Sequence, residues 1–439
     1  MFNFPVVDRV PSFSLYSYRK IISPLTPWND SSLYSSDFSN MLEQYHLQFR
    51  NSYAPGTIEL QSLIRQNQFP SRPCSEVSFL ISHGNGADGS MGLGALLHLG
   101  ALHLSLAVGL GRVFLWHSNI LGHYSDFETC GELQGLACFL KNPSNCTLED
   151  ALSTGADTLH IEKVDAGKVF GFTVDFIPSD VLSILKSWAD TPGSQPETPP
   201  GAIWGESITK YMWRAQCTAF LMLLNEKTIE DLRLWRLHSV DSPFDEINNL
   251  KYEKSELFTN LHQLPHPRLL NISLRQDPFP SFPLQRGTIS LHIRHGDKAS
   301  EMKLVPSIKY FETALKLQHD MSLNLIQQLY VSTEDPLAIN ELGTTVLSQP
   351  QTYGHWIIRY NDLPRSNSNG DLQLQSFASI PRARLTQLWL LQLFMALECD
   401  AWVGTRKSNW NRLIDELRCV WVPKCGFPFI EVGPQDLGW

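Results

Sequence analysis

Leu291-His292-Ile293-Arg294-His295-Gly296-Asp297-Lys298, entered from Ile289-Ser290, decides how this chain is read. Ile289, Leu291 and Ile293 alternate with Ser290, His292 and Arg294, the period of two expected of a half-buried strand. The strand runs directly into a turn loaded with charge. In open α/β sheets ligands bind where strands end at their carboxyl edge. Here that edge offers an arginine, a histidine, an aspartate and a lysine within a few residues, a grouping that suits a phosphorylated ligand.

Working outward toward the carboxyl terminus, apolar strands alternate with amphipathic helices. A helix from Pro306 carries Ile308, Phe311 and Leu315 as a stripe. The strand Leu329-Tyr330-Val331 follows, then the turn Ser332-Thr333-Glu334-Asp335 and a helix opening at Pro336, a favourable first helical position. A strand at Trp356 to Tyr360, a polar loop from Asn361 to Asp371 and an apolar helix from Arg384 to Glu398 come next. The short strand Ala401-Trp402-Val403 and a helix from Ser408 to Arg418 complete the series. Repeated units of this kind predict an α/β fold with a parallel sheet covered on both faces.

Toward the amino terminus, Val77 to Ser82 reads as a strand, followed by the glycine turn His83-Gly84-Asn85-Gly86-Ala87-Asp88-Gly89. Met91 to Trp116 is apolar enough to suggest a membrane span, but it holds His98, His103 and five glycines between Gly92 and Gly111. It is read instead as a buried helix and a following strand, so that a second βαβ unit opens here. Thr191 to Gly201 is a loop rich in proline and glycine, and Asp277 to Pro283 marks a junction between domains. The expected layout is an extension over 1–73, an α/β domain over 74–276 and a second α/β domain over 284–439.

The chain has 439 residues, enough for two cores, and 43% hydrophobic against 18% charged residues mark it as globular. A net charge of -9 argues against general affinity for nucleic acid, which needs surplus lysine and arginine, so any phosphate site must be local. None of the eight cysteines forms a zinc-binding Cys-x-x-Cys pair. Cys130 with Cys138 and Cys419 with Cys425 have the spacing for short disulfide loops, free buried thiols being the alternative. Asn29, Asn145 and Asn271 each begin an N-glycosylation triplet, and with the cysteines they point to the secretory pathway. Met1 to Pro27 shows neither a signal peptide nor a membrane anchor.

Three stretches resemble, in order, motifs of the α-1,6-fucosyltransferases, the group that includes the N-glycan core and the nodulation chitooligosaccharide enzymes. They are His292 to Lys298, Ser332 to Pro336, and Cys399 to Asn409. Gly92-Leu93-Gly94 through His98 is similar to the family's glycine-rich first helix. The resemblance implies a GT-B-like arrangement of two Rossmann-like domains, with GDP-fucose held mainly by the second. It also implies a glycan or glycoprotein acceptor, inversion, no required metal and a Golgi location. No Asp-x-Asp occurs in the chain, in agreement with the absence of a metal requirement.

By that resemblance Arg294 grips the diphosphate, for which a planar guanidinium fork is well suited. Ser408 and Asn409 begin a helix after Thr405-Arg406-Lys407, and a helix start carries the partial positive charge that phosphates seek. His292 is the expected contact to the guanine, with His295, Asp297 and Asp335 completing the donor site; Asp335 serves equally well as a helix cap. Glu301 matches the suspected base, although it stands one residue nearer Asp297 than the family spacing, and Lys298 would orient it. Where the family places an Asp on the apolar helix, this chain has Gln392, which offers one acceptor rather than a carboxylate's two. Trp116, Trp204 and Trp213 are candidates for stacking on sugar rings.

Two other readings use the same residues. One is a sugar-binding protein of the same fold without turnover, since fold does not prove activity. The other is a histidine phosphatase, whose Arg-His-Gly signature would make His295 the phosphoryl acceptor. That chemistry needs a second histidine, for which His319 and His355 are the only ones later in the chain.

Overall fold

The computed structural model describes residues 56–83, 92–117, 124–161, 177–189, 208–232, 284–296, 304–320, 327–361, 365–366, 380–405, 408–421 and 429–432, less 134, 154–156, 230, 285–286 and 354–355. Two sheets, both parallel throughout, organise them. Helix α1 (Thr57–Gln68) precedes the first sheet. The chain then runs through β1 (Phe79–Ser82), α2 (Leu93–Gly109), β2 (Val113–Trp116), α3 (Phe127–Cys130), α4 (Leu148–Ser153) and β3 (Thr158–Ile161). Helices α5 (Ser179–Ala189) and α6 (Ile208–Leu221) follow. The strand order is β2-β1-β3, with Phe79 opposite Val113 on one side and Thr158 on the other.

The second sheet is built from β4 (Ile289–Ile293), α7 (Ser307–Asp320), β5 (Gln328–Thr333), α8 (Pro336–Ser348), α9 (Pro350–Tyr353), β6 (Ile357–Arg359), α10 (Arg382–Glu398), β7 (Ala401–Gly404), α11 (Asn409–Val420) and β8 (Phe429–Glu431). Its order is β6-β5-β4-β7-β8. The chain winds outward from β4 through β5 to β6, then returns across the sheet to β7 and β8. This is a doubly wound α/β pattern, compatible with a Rossmann-like fold.

One expectation needs correction. Strand β4 is not half-buried: all five of its residues are buried. Its apolar side, Ile289, Leu291 and Ile293, packs in a cluster with Phe311 and Leu317 of α7 and Ile339 and Leu342 of α8. Its polar side is covered too, because β4 is the central strand of a parallel sheet and helices lie on both faces. The alternation therefore separates an apolar core face from a polar buried one, not core from solvent.

A second apolar cluster runs through helices of both halves. It joins Leu96, Leu97 and Leu104 of α2, Tyr211 and Met212 of α6, Leu391 and Phe394 of α10, and Leu413 and Leu417 of α11. Helix α2 is apolar all round because it is enclosed all round, which is how such a helix behaves in a core. Among the described residues no helix is long and apolar enough to cross a membrane. Two glycines allow the close packing. A Cβ on Gly94 would press on the backbone of Asn409 in α11 at 3.2 Å, and one on Gly100 would collide with the ring of Trp116.

Charge is buried in this shared layer as well. Glu416 on α11 is fully enclosed and pairs with Arg214 of α6 at 2.8 Å and His98 of α2 at 3.1 Å. Burial alone would raise its pKa; His98 and Arg214 prevail and hold it at about 2. Asp126 ties the halves at another point, accepting from Thr129 N in α3 at 2.7 Å and from Ala383 N in α10 at 2.7 Å. One carboxylate thus satisfies first-turn donors of two helices, groups that have no intrahelical partner.

Two disulfides staple the loops between β2 and β3, Cys130–Cys138 and Cys74–Cys146. The first is the short loop expected; the second spans 72 residues, and the sequence alone left that pairing open. Cys419 is also disulfide-bonded, while Cys425 lies outside the described residues. Cys217 and Cys399 are buried. The proline-rich runs at 191–201 and 277–283 fall outside the described residues.

Candidate functional site

In the second sheet the winding direction reverses between β4 and β7, which are hydrogen-bonded neighbours with Leu291 opposite Val403. At such a switch point the connections leave in opposite directions, and a crevice opens at the carboxyl ends of the two strands. Arg294 follows β4 directly. The turn from Thr405 to Ser408 follows β7 at the same edge, and Glu334 and Asp335 follow β5. Adjacent strands lie about 5 Å apart. The sheet therefore brings the arginine and the start of α11 to one crevice.

Arg294 Nη1 is paired with Glu334 and donates to the His295 carbonyl at 3.4 Å. Glu334 Oε1 also accepts from His295 N at 2.7 Å, so this carboxylate fixes both the guanidinium and the turn that carries it. His295 is buried with both ring nitrogens engaged, Nδ1 with Asp335 Oδ2 at 2.6 Å and Nε2 with the Val305 carbonyl at 2.7 Å. It braces the turn. Asp335 takes the helix-capping role, accepting from Leu337 N at 2.8 Å through its other oxygen.

Behind Arg294, the polar side of β4 lies against β5. His292 Nδ1 bonds Ser332 Oγ at 2.9 Å, while His292 Nε2 and Ser290 Oγ are buried with no hydrogen-bond partner among the described residues. Burial, helped by the nearby Arg294 charge, lowers the His292 pKa to about 3 and keeps the ring neutral. Gln392 is buried on α10 and makes no hydrogen bond among the described residues. Two orphaned polar atoms on one strand are unusual, because an unpaired buried donor or acceptor costs about 1–3 kcal/mol.

Ser408 caps α11 through its hydroxyl, which accepts from Asn411 N at 3.4 Å. The side chain of Asn409 is used for packing between helices, its Oδ1 meeting His98 Nδ1 at 3.2 Å and Arg412 Nη1 at 3.2 Å. What remains for a ligand at this helix start is backbone N–H, together with the start of α2, which Gly94 brings against Asn409. A Cβ at Gly404 would collide with the Asn411 amide and the Trp402 ring, so the tight exit from β7 depends on glycine there. Asp297, Lys298, Glu301, Arg406 and Lys407 lie outside the described residues.

The phosphatase reading finds no support in this arrangement. Both His295 nitrogens are engaged, and His319 stands near the far end of α7, a helix of 14 residues. At 1.5 Å per residue that end is roughly 20 Å from the carboxyl edge. His355 lies outside the described residues. Among the described residues no group of three or more His, Cys, Asp or Glu is placed to hold a metal ion.

Several contributors were not singled out from the sequence. Glu334 and Ser332 stand in the quoted turn, and their signal was the alternation of Tyr330, Ser332 and Glu334 with Leu329, Val331 and Thr333, matching that of β4. At the carboxyl edge of the first sheet, His83, His117 and His160 gather. His83 Nε2 is 2.9 Å from His160 Nδ1, and its ring stacks on His117 at 4.3 Å. Only parallel pairing of three separate strands unites them. Of the tryptophans, Trp213 is buried with its N–H on Ser105 Oγ at 2.6 Å, Trp116 is half-buried, and Trp204 lies outside the described residues. No protein-family model matches this chain, and no match is found among the curated proteins.

Proposed function

We propose that the chain transfers fucose from GDP-fucose to a glycan hydroxyl with inversion, using the crevice between β4 and β7 for the donor. The observation that supports this most is the pair of buried, unpartnered atoms Ser290 Oγ and His292 Nε2 on the same side of β4 as Arg294. They ask for a polar ligand that enters the sheet edge beside a guanidinium, as a nucleotide would with its base inward and its phosphates outward. His292 meets the base as a neutral ring, and the Gln392 amide supplies a donor and an acceptor. Arg294, oriented by Glu334, and the first-turn N–H groups of α11 meet the diphosphate. On this reading the two sheets are the acceptor-side and donor-side units of a GT-B arrangement.

In the reaction the acceptor oxygen bonds to the anomeric carbon as the bond from that carbon to the diphosphate oxygen breaks. GDP leaves with the bonding electrons, and the hydroxyl proton passes to the Glu301 carboxylate, which Lys298 orients. Charge on the leaving group is carried by Arg294 and the helix start, so chelators are expected to leave turnover unchanged.

Incubation with GDP-fucose tests the reading. A transferase releases GDP slowly by hydrolysis and faster with the right acceptor. A binding protein of the same fold holds GDP-fucose intact, and hydrolysis of a generic phosphomonoester would favour the phosphatase. Glu301→Gln is expected to keep GDP affinity and stop transfer; retained turnover would assign the base elsewhere.

A further inference from the structure

A cavity of about 710 Å³ lies at the outer edge of the first sheet, beside β2 and away from the β4–β7 crevice. Its walls include Leu115 and Trp116 of β2 and Leu133, Leu136, Leu140 and Leu148 from the loops that follow. That volume is in the range of sites for small organic ligands. The walls are held in place. Cys130–Cys138 closes the loop bearing Leu133 and Leu136, and Cys74–Cys146 anchors the segment before Leu148. Lys141 N donates to the Leu223 carbonyl at 2.7 Å and Asn225 N to the Phe139 carbonyl at 3.0 Å, fixing one wall to the other. Trp116 is seated against Gly100, where any side chain would displace it. Strand β2 does not invite an added strand, because its outward Phe114 N–H is already bound by Gln68 Oε1 at 3.0 Å.

The polar groups of the lining give the sign of the ligand. The charged side chains of the lining are Lys141, Lys227 and Glu226. Lys227 is held by Asp231 at 3.0 Å, whereas Lys141 is exposed and has no ion pair among the described residues. Leu133 is 52% exposed, an apolar surface that a ligand would cover.

We propose that this cavity is a second binding site, for a small amphipathic acid: a flat apolar body against Trp116 and the leucines, and an anionic group at Lys141. The inference is independent of the transferase reading. It is tested by fluorescence titration of the intact chain with 8-anilinonaphthalene-1-sulfonate, an aromatic body with an anionic group, and with the uncharged N-phenyl-1-naphthylamine. Saturable binding of the sulfonate at one site per chain is expected. Ala137→Trp, at an exposed position in the lining, should abolish it by filling the cavity. Lys141→Glu should weaken the sulfonate about tenfold while leaving the uncharged dye unchanged. Unaltered circular dichroism and melting temperature certify both variants as folded. Binding that survives Ala137→Trp, fails to saturate, or responds to Lys141→Glu equally for both dyes would overturn the proposal.

Discussion

The two sheets share the parallel βα plan and treat their carboxyl edges in opposite ways. The first gathers two histidines, His117 and His160, around His83 and invests in covalent staples, two disulfides that hold its loops. The second has its disulfide-bonded cysteine, Cys419, near the far end of α11, and at its carboxyl edge places polar residues on the buried side of β4, leaving Ser290 and His292 with unmet hydrogen bonds beside Arg294. A pocket fixed by cross-links is already formed and mostly apolar. A crevice with orphaned polar atoms is complete only when something polar occupies it. The contrast separates a region built for shape from one built for charge.

The largest effect is expected where the regions meet. Glu416→Ala removes the fully buried carboxylate that Arg214 and His98 share, and should cost about 3–5 kcal/mol. Because one apolar cluster spans helices of both halves, the variant should still melt in a single transition. Two resolved calorimetric transitions would break the idea of a shared core. The Cys74→Ala/Cys146→Ala pair should cost up to about 4 kcal/mol, since the bridge closes a separation of 72 residues. Its effect belongs to the first sheet, so nucleotide affinity should not change; a parallel loss of GDP binding would erase the distinction.

Acid should act in two steps of known sign. His292 has a folded pKa lowered to about 3, so it opposes the fold wherever an unfolded histidine would be protonated, progressively below about pH 6.5. Glu416 has a folded pKa lowered to about 2, so its contribution is intact above about pH 4.5 and is lost as pH falls toward 2. His103, whose pKa burial lowers to about 4, acts in the same sense as His292, so chemical denaturation from pH 7 to 3 should show a first decline that His292→Gln lessens and a second, from Glu416, that it leaves unchanged. The smallest effect is expected for Gly100→Ala, which crowds Trp116 and should cost about 1–3 kcal/mol. It should also disturb dye binding at the first sheet while sparing the second.

Much of the second sheet was legible because its signals are local. Alternation marked β4, Asp335-Pro336 marked the start of α8, and the step from Gly404 to Ser408 marked the start of α11. The order of units then sufficed for a doubly wound sheet, and the Cys130–Cys138 bridge is one that spacing allowed without excluding free thiols. The burial of the polar side of β4 was not legible, because alternation reports two faces and not what covers them. The same holds for Glu416, whose partners come from two other helices, and for the 72-residue disulfide and the three histidines. Each depends on where distant segments meet, which no local period encodes. In the candidate site Arg294 and His292 stood out because they interrupt an apolar pattern, while Glu334 was hidden in a turn that looked like a cap.

The central claim is that a diphosphate sits between Arg294 and the start of α11. Isothermal titration of GDP into the native chain and into Arg294→Ala tests it most directly. The account predicts one site per native chain and affinity weakened at least about 100-fold in the variant, with an unchanged fold by circular dichroism. Equal affinity in the two proteins would contradict it.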